Sequence, residues 1–203
     1  MNNLKIRDLV ERVLLICFFS WLAWRIGSAV IAGETSWASL LVLAGELLVI
    51  AFVLIGRPAS DVSQSPREWL LAFAGTAAPL FVQPGGEALA PTWIIASLFF
   101  MGVGLQLAAK ISLNRSFGIV PANRGVVTTG FYRVVRHPVY ASYLVGHVAF
   151  LLINPTLWNV AVYGAALALQ VGRMLAEEGL LSRDPAYANY MQIVRYRLVP
   201  GVY

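Results

Sequence analysis

The sequence predicts an all-α fold, a multi-pass membrane helical bundle of about six transmembrane helices. Three observations carry this. Of 203 residues, 59% are apolar and only 12% charged, about half the charged fraction of an ordinary soluble domain; the mean hydropathy is +0.71. Six apolar runs follow one another along the chain. The 15 Lys and Arg residues, with Arg25 the exception, fall at or near one side if all six runs cross. The same composition excludes intrinsic disorder. A lone cysteine, Cys17, excludes a disulfide scaffold. With only His137 and His147 beside it, no Cys/His zinc site is expected, and no metal. The net charge of +5 reads as orientation and lipid contact, with no nucleic acid, because the basic residues form no run.

A spanning helix needs about 20 largely apolar residues, since hydrocarbon offers no partner to an open backbone group. Runs 9–32 and 37–55 meet this, as does 92–113 after Pro91. Runs 139–153 and 157–172 are shorter and joined by Asn154-Pro155-Thr156, the composition of a tight helical hairpin. The run 69–82 contains Gly75 and Pro79, and by length alone suits a re-entrant segment. The charge rule decides for a crossing: without it the basic segment 114–137 falls outside. Both termini are then cytoplasmic, and the connections 33–36, 83–91 and 154–156 carry no Lys or Arg. No signal peptide is expected, because no small-residue cleavage pattern follows the first run. The chain reads as a single integral-membrane domain, with scaffold helices in 1–100 and the chemistry-bearing half in 101–203. Two charges inside spans, Arg25 and Glu46, are functional candidates by default; pairing or snorkelling explains them structurally.

The most informative stretch is Gly130-Phe131-Tyr132-Arg133-Val134-Val135-Arg136-His137-Pro138-Val139-Tyr140. Pro138 suits the first turn of the helix after it and pushes His137 out of the α region. Arg136 and His137 thus stand before a helix terminus with open N–H groups, where an anion is favoured and an Arg can hold a carboxylate through two bonds. A basic membrane-edge anchor is the alternative. A second stretch, Arg173 to Leu181, carries the last apolar helix into the cytoplasm. Arg173 and Glu177, four apart, are expected to pair along one face, leaving Glu178 about 100° round the helix and free for a ligand. Gly102-Val103-Gly104 permits close approach of a helix or a ligand. Tyr187 and Tyr190 share one aromatic face after Pro185, or act as interfacial anchors.

Read together, these stretches resemble the isoprenylcysteine carboxyl methyltransferase and phospholipid methyltransferase superfamily. The resemblance rests on Arg136-His137-Pro138-Val139-Tyr140 followed, one helical hairpin later, by Glu177-Glu178. Ser116-Phe117-Gly118-Ile119-Val120-Pro121, Tyr187, Tyr190 and Arg197-Leu198-Val199-Pro200 flank the two motifs. It spans about residues 102–203. The resemblance implies a membrane-integral enzyme with its catalytic region in the cytoplasmic C-terminal part and S-adenosylmethionine (SAM) as cofactor. It implies that His137, Pro138, Tyr140, Glu177, Glu178 and Leu181 help enclose the cofactor, as do Gly102 and Gly104, and that Arg136 and Glu178 are the catalytic pair.

SAM is cytosolic, so its site belongs on the positive-inside face, and the acceptor is expected to be lipidic or isoprenoid-bearing, reaching the site from the bilayer. A carboxylate acceptor needs no general base, and Arg136 would orient it. An amine would need one, with Glu178 or His137 as candidates; phospholipid amines and thiols are the alternative acceptors. Two readings from other classes stand beside this. One is an NADPH-dependent membrane reductase with its phosphate on the Arg cluster 115–136. The other is a non-enzymatic transporter, motivated by Arg25 and Glu46.

Overall fold

The computed structural model describes residues 3–33 and 37–202. The expected connection 33–36, apart from Gly33, and Tyr203 lie outside the described residues. The described chain is mostly helical. The first pair is α1 (Asn3–Ile31) and α2 (Trp37–Leu54). Next come α3 (Pro66–Ala77) and α4 (Thr92–Leu113). The hairpin α5 (Pro138–Ile153) and α6 (Leu157–Leu181) comes after them, and α7 (Pro185–Ile193) closes the series. The only β structure among the described residues is a two-residue antiparallel bridge, β1 (Asp61–Val62) with β2 (Ala122–Asn123).

Two helices among the described residues are long and apolar enough to cross a membrane: α1, and α4 with its short 3-10 extension, Thr92–Ser116. Ser39–Leu54 and Pro138–Ile153 are shorter apolar helices. The run 69–82 is not one helix. It begins inside α3, which starts at Pro66, and passes at Ala78 into a 3-10 turn holding Pro79, which has no N–H for the α-helical ladder. Twelve helical residues make about 18 Å, short of a hydrocarbon core of about 30 Å. Polarity is distributed as a lipid solvent demands. Trp24, Ile31, Trp93 and Leu157 face outward, while Glu11, Lys110, Arg124, Gln170, Arg173 and Glu178 are buried.

Three helix pairs make the body: α1 with α2, α4 with α5, and α3 with α6. Leu15 and Phe19 of α1, Val49, Phe52 and Val53 of α2 and Ala72 of α3 enclose Phe117, Ile119 and Val120 of the loop after α4. That loop is therefore part of the core. Asn154-Pro155-Thr156 forms the expected hairpin turn, with the Thr156 side chain accepting the Asn159 N–H as an N-cap.

Candidate functional site

Pro138 occupies the first turn of α5, and His137 before it is non-helical at φ −128°. The turn preceding them, Gly130–Arg133, begins at Gly130 with φ +59°, a conformation open to glycine at little cost. A side chain there would also strike Ser112. The extended C-terminal segment then fastens the elbow. Arg136 N–H donates to Tyr196 O and His137 N–H to Arg197 O, both at 2.9 Å.

Glu178 comes from the far end of α6 to meet this elbow. Its Oε1 is 3.0 Å from His137 Nε2 and its Oε2 accepts from Arg197 Nε at 2.9 Å. Arg136 Nε also lies 2.9 Å from Oε1, but its N–H is not aligned on that oxygen and has no hydrogen-bond acceptor. The contact is Coulombic, and a buried donor is left over. Burial alone would raise the Glu178 carboxyl. The bonds from His137 and Arg197 and the charges of His137 and Arg136 outweigh it and hold the group below the ordinary carboxylate value.

Glu177 points elsewhere, its Oε2 accepting from the Tyr140 hydroxyl at 3.1 Å. The expected Arg173–Glu177 pair does not form. Arg173 turns into the bundle, where Nε donates to Ile119 O at 2.8 Å and the guanidinium lies 5.3 Å from the Tyr140 ring centroid. A buried guanidinium with a carbonyl to satisfy has more to gain there than on an exposed helix face. Nor is Glu178 free, since Arg136, His137 and Arg197 all close on it.

Two small cavities, of about 50 Å³ and 40 Å³, share Leu113, Tyr132, His137 and Glu177 in their walls. Arg136, Leu181, Tyr187 and Tyr190 line the first, Tyr140 and Arg173 the second. Six of the sequence-derived residues thus come together: Arg136, His137, Tyr140, Glu177, Glu178 and Leu181, with Pro138 as the hinge. Gly102 and Gly104 do not join them. A Cβ at Gly102 would stand 3.1 Å from Gly146 N, so this glycine lets α4 and α5 touch, while Gly104 has open space.

The aromatic face expected of Tyr187 and Tyr190 is real and buried, their ring centroids 5.5 Å apart. Tyr190 donates to Tyr132 O at 2.6 Å. Burial pushes the Tyr132, Tyr187 and Tyr190 hydroxyls upward, and neighbouring carboxylates add to it, so all three are donors at neutral pH.

Arg197, from the Arg197–Pro200 stretch that flanks the motifs, is the third group on Glu178. Three further contributors, Arg124 and the two acids that hold it, are not marked by any motif in the sequence. Asp8 and Glu11 of α1 grip Arg124, whose Nη2 donates to Asp8 Oδ1 and Glu11 Oε2, each at 2.7 Å. Burial would lower the Arg124 guanidinium, but these carboxylates raise it. Glu11 Oε1 also accepts the N–H groups of Ile119 and Val120. The one signal for them is a pair of acids at positions 8 and 11 in a helix otherwise basic or apolar at that end. These ties leave Arg124 engaged, and Arg115 Nε donates to Ile55 O.

The donor set suits a sulfonium nucleoside. An aromatic wall and the Glu177 carboxylate face the shared cavity, and the buried Tyr187 hydroxyl has no partner. Its size sets a condition, because each cavity has room for only a few waters, well short of a whole nucleoside. Residues 89–183 match the isoprenylcysteine carboxyl methyltransferase (ICMT) family. No curated protein matches the chain. The matched stretch holds both the Arg136–Pro138 elbow and the Glu177–Glu178 pair.

Proposed function

We propose that the protein is a SAM-dependent methyltransferase acting on a lipidic or isoprenoid-bearing acceptor, a carboxylate by preference, at the cytoplasmic face of the membrane. It would be a single integral domain of six membrane runs with both termini cytoplasmic, the short run 69–82 crossing a locally thinned bilayer as α3 continued by its 3-10 turn to Phe81. The observation that carries the reading is the convergence of Arg136, His137 and Arg197 on Glu178 beside an aromatic cavity.

When bound, SAM supplies a methyl group on an electron-poor sulfonium. Glu177 and the faces of Tyr132, Tyr187 and Tyr190 would hold its cationic centre, carboxylate by charge and rings by cation–π attraction. Leu181 and Leu113 keep water from that wall. The glycines 102 and 104 would serve the cofactor only if α4 and α5 shift on binding. Glu178 orients Arg136, whose unpartnered N–H favours an anionic acceptor. That preference points to a carboxylate, because an oxyanion is already nucleophilic and needs alignment and a dry site more than a base. Glu178, held deprotonated by its bonds to His137 and Arg197 and by the charge of Arg136, is poorly suited to taking a proton from an amine.

Calorimetry of SAM against the purified protein tests the reading, paired with transfer of labelled methyl into a lipid extract. Binding with transfer supports it. Absence of SAM binding, with NADPH stabilising the protein instead, overturns it.

A further inference from the structure

A third cavity, of about 190 Å³, lies in the bundle between α1, α2, α3, α4, α5 and α6. Its apolar wall is Phe18, Phe19, Leu22 and Leu80. Its polar wall is Glu46, Gln106, Lys110, Tyr143, His147 and Gln170. Lys110 stands near the cytoplasmic end of its run in sequence, yet it is 2% exposed. Glu46 Oε2 is buried with no hydrogen-bond partner. Lys110 is near enough for its charge to act on Glu46, but no ion pair joins the two among the described residues. Charges inside an apolar bundle are costly unless paired or used. A structural pair would have closed, and this one stands open with the cavity beside it. Gln106 and Tyr143 stand together on that wall.

Tyr143 lines both this cavity and the one at Glu177. Arg173 Nη1 reaches Thr76 Oγ1 at 3.3 Å across the same boundary. The two spaces are thus neighbours along α5. Tyr140, at the site, and His147, in the third cavity, are separated by seven residues, about 10 Å of helix.

We infer that the Glu46–Lys110 cavity binds the chain of the methyl acceptor and selects an acyl or isoprenoid chain carrying a hydroxyl or carbonyl about 10 Å from its reactive end. This rests on the proposed methyl transfer for the identity of the reactive end. Glu46 Oε2 accepts from a hydroxyl, Lys110 donates to an oxygen, and the Phe18–Leu22 wall takes the hydrocarbon. A plain hydrocarbon chain would leave both charges facing it unsolvated, which is the basis of selection.

Equilibrium binding of 10-hydroxystearic acid and of stearic acid to the purified protein, without SAM, tests this. The wild type is expected to prefer the hydroxylated chain about tenfold. Glu46→Gln and Lys110→Met should each erase most of that preference and leave stearate binding within about twofold. Equal binding of the two acids, binding of neither, or a preference that survives in both variants overturns the inference. Should Lys110→Met not fold, Glu46→Gln, which keeps shape and removes charge, decides alone. SAM calorimetry on the same samples separates the two ideas. Unchanged SAM binding with no lipid preference sinks this inference only, and lipid preference without SAM binding sinks the methyl-transfer reading only.

Discussion

Glu11 of α1 and Arg124 of the loop after α4 meet at 2.7 Å, with Glu11 fully buried. The same carboxylate holds the N–H groups of Ile119 and Val120, so the first helix fixes the loop that walls the candidate site. Removing one member of a buried pair strands the other charge and costs about 3–5 kcal/mol. Glu11→Ala should therefore lower the thermal midpoint strongly in detergent, and Glu11→Ala with Arg124→Ala less than the sum of the singles. A fully additive double-mutant cycle would dissociate the two groups.

Glu178 gives a pH dependence whose sign is set by its environment. Its carboxyl is held below the ordinary value by His137, Arg197 and Arg136 against the effect of burial. A group depressed in the folded state stabilises it fully above the unfolded pKa of about 4.3, and that stability is lost as pH falls through the lower folded value. Acid unfolding of the wild type should thus steepen below about pH 4.3, and Glu178→Gln should be flatter across that window. Its methyl transfer should also fall by about a hundredfold, as for loss of one preorganised charge contact. Unaltered turnover in this variant would remove Glu178 from the site.

Legibility tracks how local the physics is. The Arg136–Tyr140 elbow is readable because Pro138 dictates both its own helix start and the extension of His137 from neighbours in sequence. The hairpin turn at 154–156 is readable for the same reason. The partner of Arg173 is not, because the i,i+4 rule describes an isolated helix, and the chain offers Ile119 O and the Tyr140 ring from 54 and 33 positions away. Lys110 is misplaced by hydropathy, which sees a charge near a run's end and not which way it turns. Arg197 and Glu11 act through contacts spanning 19 and more than 100 residues, which spacing in one sequence does not encode.

Tyr140 and Glu177 define a smaller test. The hydroxyl donates to a carboxylate at 3.1 Å, a class of bond worth about 1.5–3 kcal/mol when both groups are buried. Tyr140→Phe frees Glu177 to rotate from the cavity. SAM affinity, measured by calorimetry, is expected to drop about tenfold, and the ring–guanidinium contact with Arg173 should survive. Equal affinity in the variant would mean Glu177 does not hold the cofactor.

Gly102 and Gly104 separate packing from ligand contact within three residues. A methyl at Gly102 would press on Gly146 N at 3.1 Å and drive α4 from α5, so Gly102→Ala should cost about 1–3 kcal/mol of stability. Gly104 has nothing within 4 Å of the same added atom. There Gly104→Ala should gain about 0.5–1 kcal/mol through helix propensity alone. Thermal midpoints of the two variants should therefore move in opposite directions. SAM binding in Gly104→Ala then discriminates: unchanged affinity assigns the motif to helix packing, whereas a tenfold loss in a protein more stable than wild type requires α4 to shift and bring this glycine against the ligand.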